Sequence, residues 1–158
     1  QPNTTYYVTV RAFNKAGLHS TKSSDGLLTD VSPPTIGSVV DCLGEDIDWL
    51  YVDRGIGARW YDFDDAESGI QAYRWSVGTN EDGCQVLLAT NVALDTSAVC
   101  SSCAFIPGIK YFVTVEATNG AGLKTTAFSD GFTVDLTAPE TGTISGLKWI
   151  ENSVLQMD

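Results

Sequence analysis

Histidine, the side chain that most often acts as general acid or base in enzymes, is nearly absent from this chain of 158 amino acids. His19 is the only histidine, whereas hydrolytic triads and catalytic zinc sites rely on histidine as a base or a ligand. The sequence therefore predicts that the protein is not an enzyme. One short stretch does gather hard oxygen ligands of the kind that hold calcium: Asp62, Asp64, Asp65 and Glu67.

These four carboxylates are candidates for a calcium site, and a solvated acidic loop is the alternative. They do not follow the EF-hand pattern, because Ala66 stands where a ligand belongs. Asp30 and Asp135, each shortly before a proline, are a second candidate for calcium at a junction between domains. We expect no cofactor, with calcium as the alternative.

The chain contains four cysteines, Cys42, Cys84, Cys100 and Cys103. An even number in a chain rich in serine and threonine suggests disulfides and an oxidising, extracellular compartment. If residues 100–103 are extended, Cys100 and Cys103 lie too far apart to bridge each other. We therefore expect Cys42 and Cys84 to pair with Cys100 and Cys103, in an order that the sequence leaves open. A four-thiolate zinc site is the rival, but only one Cys-x-x-Cys pair is present.

Charge and hydropathy exclude several classes of partner. Nine basic and twenty acidic residues give a net charge of −11, which opposes binding to nucleic acid or to an anionic membrane. No stretch reaches the roughly 18 to 20 apolar residues of a membrane span, and the first residues do not resemble a signal peptide. Asn3-Thr4-Thr5 is an acceptor sequence for N-glycosylation.

The strongest pattern in the sequence is an internal repeat. Residues 1–37 align with residues 106–142 without a gap, and 17 of the 37 positions are identical. The phrase YYVTVRAFNKAGL at 6–18 returns as YFVTVEATNGAGL at 111–123. A period of that length is about one small domain, so the sequence indicates a duplicated module.

The module is predicted to be β-structure, because β-forming residues alternate with polar ones at a period of two. Asn119-Gly120 is a hairpin signal, and no stretch has helical period and length. Trp60, Trp75 and Tyr111, with Tyr6 in the first copy, are predicted core residues, whereas Phe13 points outward. We predict seven strands in a two-sheet sandwich, at 38–43, 56–63, 71–78, 84–90, 98–106, 111–118 and 125–134.

The motif Tyr-x-Val-x-Val-x-Ala-x-Asn-x-Ala-Gly, with a tryptophan on an early strand and prolines at the unit edges, resembles fibronectin type III repeats. More loosely, it resembles the immunoglobulin-like sandwiches of extracellular repeat proteins. The resemblance implies that Tyr111 and Tyr6 begin the sixth strand and that Trp60 is the core tryptophan of the second. Four cysteines and a longer unit depart from that family. Its Arg-Gly-Asp attachment triplet is absent, since Asp53-Arg54-Gly55 has another order.

The register of the repeat predicts three units. Residues 1–31 are the last strands of a preceding repeat, residues 32–137 are a complete one, and residues 138–158 begin a following one. We expect neighbouring repeats or identical subunits as partners, through β-strand contacts, with Trp49 and Trp149 packing between units. The expected function is a non-catalytic spacer or filament protomer of a secreted or cell-surface protein. An adhesion module that binds a receptor or a glycan, with or without calcium, is the alternative.

Overall fold

A computed structural model describes residues 3–143 and 145, together with the backbone of residues 148–150 and 154–156. Every regular element in those ranges is a β-strand, which confirms the predicted all-β class. The same residues therefore hold no helix that is long and apolar enough to cross a bilayer. The side chain of Trp149, predicted to pack between units, lies outside the described residues.

Fifteen strands make up the described chain. They are β1 (Thr4–Tyr6), β2 (Thr9–Phe13), β3 (His19–Ser23), β4 (Leu27–Thr29), β5 (Ser38–Val40), β6 (Trp49–Leu50), β7 (Arg54–Tyr61), β8 (Ile70–Gly78), β9 (Leu87–Asn91), β10 (Ser97–Ala104), β11 (Lys110–Asn119), β12 (Lys124–Phe128), β13 (Phe132–Val134), β14 (Lys148–Ile150) and β15 (Val154–Gln156).

Two sheets form the body of the molecule. One has the strand order β10-β7-β5, and the other has the order β6-β13-β11-β8-β9, with β12 also paired to β11. The pairings are antiparallel except that β6 lies parallel to β13. In the register of the long central pair, Val115 lies opposite Trp75.

The alternating residues of the two sheets share one hydrophobic core. Ile56, Ala58 and Trp60 from β7 face the same cluster as Trp75 and the inward residues of β11. Period-two burial along β7 and β11 is what a strand with one covered face requires. Trp60, Trp75 and Tyr111, three of the four residues that the sequence suggested for a core, are thus buried.

The first copy of the repeated motif is exposed where the second is buried. Tyr6, Val8 and Val10 are 49%, 69% and 63% exposed, whereas their counterparts Tyr111, Val113 and Val115 are 2%, 0% and 0% exposed. The prediction that Tyr6 belongs to a core is therefore wrong for this chain. The cause is that, among the described strands, β2 pairs with β3 alone, whereas β11 has β8 and β12 on either side.

Two predicted strands differ from those observed. The strand predicted at 125–134 is divided at Ser129-Asp130-Gly131 into β12 and β13. Gly131 has a φ of 88°, and a Cβ there would lie 2.7 Å from the carbonyl oxygen of Tyr111, so only glycine fits this corner. The strand predicted at 38–43 ends at Val40, and the chain crosses to the other sheet as β6.

The expected cysteine pairing is also wrong. Cys100 bonds to Cys103, with their Cα atoms 5.5 Å apart, and Cys42 and Cys84 are free. The expected pairing requires residues 100–103 to be extended, but the register between β10 and β7 shifts between Cys100 and Ala104. A bulge of this kind shortens the chain locally, and it turns both sulfurs of the pair into the core.

The two copies of the motif offer a matched test of this packing. We expect Val115→Ala to lower the free energy of unfolding by about 2 kcal/mol, because it leaves a cavity in the shared core. Val10→Ala removes the same atoms from an exposed strand and should change it by less than about 0.5 kcal/mol. Urea unfolding followed by tryptophan fluorescence measures both. Equal losses in the two variants would contradict the different burial of the two copies.

Candidate functional site

Asn119, the last residue of β11, closes the turn to β12. Its side chain is fully buried, and its Oδ1 accepts hydrogen bonds from the backbone N–H groups of Ala121 and Leu123, at 3.1 and 2.8 Å. Asn14 makes the same two bonds in the first copy, to Ala16 and Leu18. The oxygen of this asparagine therefore holds the turn in both copies of the motif.

In the described ranges, the amide nitrogen of Asn119 donates hydrogen bonds to other segments, whereas that of Asn14 does not. Its Nδ2 donates to Asp30 Oδ2 at 2.8 Å, to the backbone oxygen of Ser32 at 2.9 Å and to Asp65 Oδ2 at 3.0 Å. One amide thereby joins the linker before β5 to the turn between β7 and β8. We call Asp30, Ser32, Asp65, Ser68 and Asn119 the polar junction.

Asp65 is the second anchor of the polar junction. The hydrogen bond from Asn119 is the main cause that lowers the pKa of Asp65, and the N–H groups of Ser68 and Gly69 add to the effect. Those two groups donate to Asp65 Oδ1 at 2.8 and 3.1 Å. The Ser68 hydroxyl in turn donates to Asp30. The Asp65 carboxylate therefore stays charged, and its hydrogen bonds stabilise the turn at residues 65–69.

The linker has further contacts on the same side. The Thr125 hydroxyl donates to the carbonyl oxygen of Pro34 at 2.5 Å, and the Thr35 N–H donates to the Asp64 oxygen at 2.7 Å. Asp30 Oδ1 also accepts from the Ser32 N–H at 3.0 Å. Side chains and backbone thus fix residues 30–35 against the body that the two sheets form.

The carboxylates that the sequence suggested for calcium are not gathered into one group. Asp65 belongs to the polar junction, the backbone oxygen of Asp64 holds Thr35, and Asp62 is exposed with a φ of 64°. Glu67 keeps one buried oxygen without a partner. Asp135, in the second linker, accepts from the Thr137 hydroxyl and N–H, and these bonds lower its pKa.

A different acidic group was missed by sequence reasoning. Across the described ranges, Asp41, Asp46 and Asp130 are the one set of three His, Cys, Asp or Glu side chains whose ligand atoms lie within 4.8 Å of one another. Asp41 follows β5, Asp46 lies in the loop to β6, and Asp130 lies between β12 and β13. We call these three residues the acidic cluster.

Asp41 is the buried member of the acidic cluster, with 0% of its surface exposed. Its Oδ2 accepts from the Gly131 N–H at 3.1 Å, and its own N–H donates to Asp46 Oδ1 at 3.1 Å. Its Oδ1 has no hydrogen-bond partner. Burial raises the pKa of Asp41 to about 7, and the charges of Asp46 and Asp130 add to the rise. The Ser129 hydroxyl and the Gly131 N–H act in the opposite direction.

The remaining suggested residues belong to neither site, although Cys42 directly follows Asp41 in the chain. Asn3 is exposed, so its glycosylation stays a prediction. Phe13 is exposed and its ring contacts His19 at 5.6 Å between centroids, and Trp49 is exposed. Cys84 is exposed and Cys42 is half-buried.

Comparison of the chain with protein-family models and with curated proteins finds no match. The polar junction, the acidic cluster and the different burial of the two motif copies are therefore the features that bear on function.

The raised pKa of Asp41 predicts how stability varies with pH when chelator is present. A group whose folded pKa lies above its unfolded value stabilises the fold at low pH and loses that effect as the pH rises. We expect the free energy of unfolding to fall between about pH 4 and pH 7, by on the order of 4 kcal/mol. Asp41→Asn should remove most of this fall. Urea unfolding at each pH measures it, with the exposed Asp95→Asn as control. A profile that Asp41→Asn leaves unchanged would contradict the burial argument.

Proposed function

We propose that this chain is part of a tandem array of immunoglobulin-like, fibronectin type III-like sandwiches in a secreted or cell-surface protein. Its role is mechanical, as a spacer or as the protomer of a filament, and it involves no catalysis. The observation that carries the proposal is the repeated motif, which is buried in the second copy and exposed in the first.

The exposed copy lacks the strands that cover the buried one. Val113 and Val115 are enclosed because β8 pairs with β11 and the sheet β10-β7-β5 lies across the core. Residues of roughly 54–105 supply this cover for the second copy, and no described strand covers the first copy in the same way. Exposed valines on a bare strand favour burial. Residues 3–31 therefore fit the closing strands of a preceding unit.

Two features of the complete unit support the sandwich assignment. One sheet in the order β10-β7-β5 faces a larger sheet in the order β6-β13-β11-β8-β9, an arrangement that immunoglobulin-like folds use. The hydroxyl of Tyr111, at the start of β11, accepts a hydrogen bond from the Ile106 N–H at 2.9 Å. A tyrosine that bonds the backbone a few residues upstream is the corner that stabilises such sandwiches.

The polar junction supports a mechanical role because it can be repeated along an array. Asp30 and Asp135 occupy the same place in successive linkers, and each accepts from the N–H two residues later. Asp30 is also bound by Asn119 of the unit that follows it. In an array, an asparagine of the next unit would bind Asp135 in the same way. Each linker is then fixed to the unit after it, which limits bending between units.

A fusion protein tests the assignment of residues 3–31. We expect residues 32–105, placed directly before residue 1, to supply the missing strands, so that the fusion folds as two complete units. Backbone amides of β2 should then exchange with solvent at least about 100-fold more slowly than in the original chain. The same fusion with Val10→Asp is the control, since a charge cannot enter that core. Unchanged exchange of β2 would contradict the proposal.

Longer fusions of the same kind separate the two functions. Rods of uniform length per unit in electron micrographs would support a spacer or filament. Specific binding to a glycan array by units that form no rods would instead support an adhesion module.

Asn119→Asp tests the polar junction by itself. The variant keeps the oxygen that holds the turn but replaces the amide donor by an acceptor that faces Asp30 and Asp65. We expect a loss on the order of 3 kcal/mol in the free energy of unfolding and faster proteolytic cleavage at residues 30–35. Asn14→Asp makes the same change in the exposed copy, and cleavage at residues 30–35 should stay as in the original chain. Equal cleavage of the two variants would count against a fixed linker.

A further inference from the structure

The acidic cluster lies away from the polar junction, and the proposed function does not use it. We propose that Asp41, Asp46 and Asp130 bind a calcium ion, which links the loop between β5 and β6 to the corner between β12 and β13. The proposal stands on the geometry of the complete unit, and it holds whether or not that unit belongs to an array.

The first observation is that three carboxylates meet without a basic partner. Their ligand atoms lie within 4.8 Å of one another. Calcium binds oxygen at about 2.3–2.6 Å, so two ligands on opposite sides of one ion lie roughly 5 Å apart. In the described ranges the ion pairs are Arg74–Glu116 and Lys124–Glu116. No lysine or arginine described there therefore pairs with the acidic cluster.

The second observation, independent of the first, is the unpartnered oxygen of Asp41. The residue is completely buried, and no donor lies in hydrogen-bond geometry to its Oδ1. The Ser129 hydroxyl is near enough to act on the pKa of this carboxyl, but it does not meet that geometry at Oδ1. A buried carboxylate oxygen without a donor is costly.

The carboxylates of Asp46 and Asp130 face Asp41, and they accept hydrogen bonds and donate none when ionised. The Lys110 side chain passes beside Gly131, but its ammonium lies over the Phe112 ring and forms no ion pair with the acidic cluster. A bound cation would satisfy all three acids at once.

The backbone already orients two of the three ligands. The Gly131 N–H holds Asp41 Oδ2, and the Asp41 N–H holds Asp46 Oδ1. Ligands fixed by such hydrogen bonds lose less freedom when the ion binds. Asp46 and Asp130 are exposed, so water can complete the coordination from the open side.

The ligand set favours calcium over other common ions. Carboxylate oxygens are hard ligands, and the cluster contains no histidine or thiolate of the kind that zinc and copper prefer. Magnesium needs a near-octahedral site and gives up its waters reluctantly. Calcium accepts six to eight oxygens in irregular geometry, which suits a loop and a corner that meet at an edge of the unit. With three protein carboxylates, we expect affinity in the range of extracellular calcium modules, roughly 0.1–1 mM.

The place of the ion gives it a structural effect. Between Asp41 and β6 the chain crosses from one sheet to the other, and β6 pairs with β13, which follows Asp130. The Thr133 N–H donates to the Asp48 oxygen at 2.8 Å, and the Asp135 N–H donates to the Leu50 oxygen at 2.9 Å. An ion on the acidic cluster would fasten this two-residue strand and the start of the second linker.

Calcium titration of the full chain tests the proposal. We expect 10 mM calcium chloride to raise the thermal unfolding midpoint by roughly 5–10 °C over a sample in chelator at equal ionic strength. Isothermal titration calorimetry should give one site per chain. Asp130→Asn, which changes an exposed side chain, should weaken binding at least about tenfold and abolish most of the midpoint shift.

Asp25→Asn is the matched control. Asp25 occupies the position of Asp130 in the first copy of Ser-Asp-Gly. Its substitution removes the same charge outside the acidic cluster, so this variant should bind calcium as the original chain does. A midpoint that calcium leaves unchanged would overturn the proposal. A calcium-induced midpoint shift that persists in Asp130→Asn would also overturn it, as would an equal loss of the shift in Asp130→Asn and Asp25→Asn. An equal shift from magnesium at the same concentration would overturn the assignment to calcium.

Discussion

The buried carboxamide of Asn119 is the interaction on which the arrangement of the linker and the complete unit depends. Because the side chain is fully buried, both its oxygen and its nitrogen need partners inside the protein. The oxygen is satisfied within the β11–β12 turn, so the nitrogen must find acceptors elsewhere. It finds them on Asp30, Ser32 and Asp65. Asn119 therefore couples the position of residues 30–35 to the β11–β12 turn through hydrogen bonds, and the burial of Pro34 adds to this coupling.

The sequence was informative where local pattern decides the structure. The alternation of residues predicted the all-β class and the long strands β7, β8 and β11, because a strand with one covered face must alternate. It was less informative where distant segments decide. The division of the strand at Gly131 follows from the approach of the Tyr111 carbonyl, and the Cys100–Cys103 bond follows from a register shift against β7. Neither cause is visible in the residues concerned.

Contacts between distant segments also explain why the acidic group found in the structure is not the one that the sequence suggested. Asp62, Asp64 and Asp65 are neighbours in the chain, yet each uses its polar atoms in a different way, and the turn directs them apart. Asp41 and Asp130 are far apart in the chain, and they meet because β5, β6 and β13 converge at one edge. A useful signal was present in the repeat, since Asn119 and Asp130 are both retained from the first copy. The register alone could not say what they contact.

The short strand β5 lies between the two sites in the chain. In both sites a carboxylate is removed from water, but its oxygens are satisfied in different ways. Before β5, the carboxylates of Asp30 and Asp65 have amide and hydroxyl donors, so the polar junction is complete with protein groups alone. After β5, Asp41 is more deeply buried than Asp30 or Asp65 and is faced by two further acids, and its Oδ1 has no partner in hydrogen-bond geometry. A buried carboxylate in that position must take up a proton or accept a cation. The proton makes stability depend on pH, and the cation makes it depend on calcium. The proton and the cation compete for the same oxygen of Asp41. The segment before β5 is therefore held by protein groups alone, whereas the stability of the crossing between the sheets depends on pH and calcium concentration.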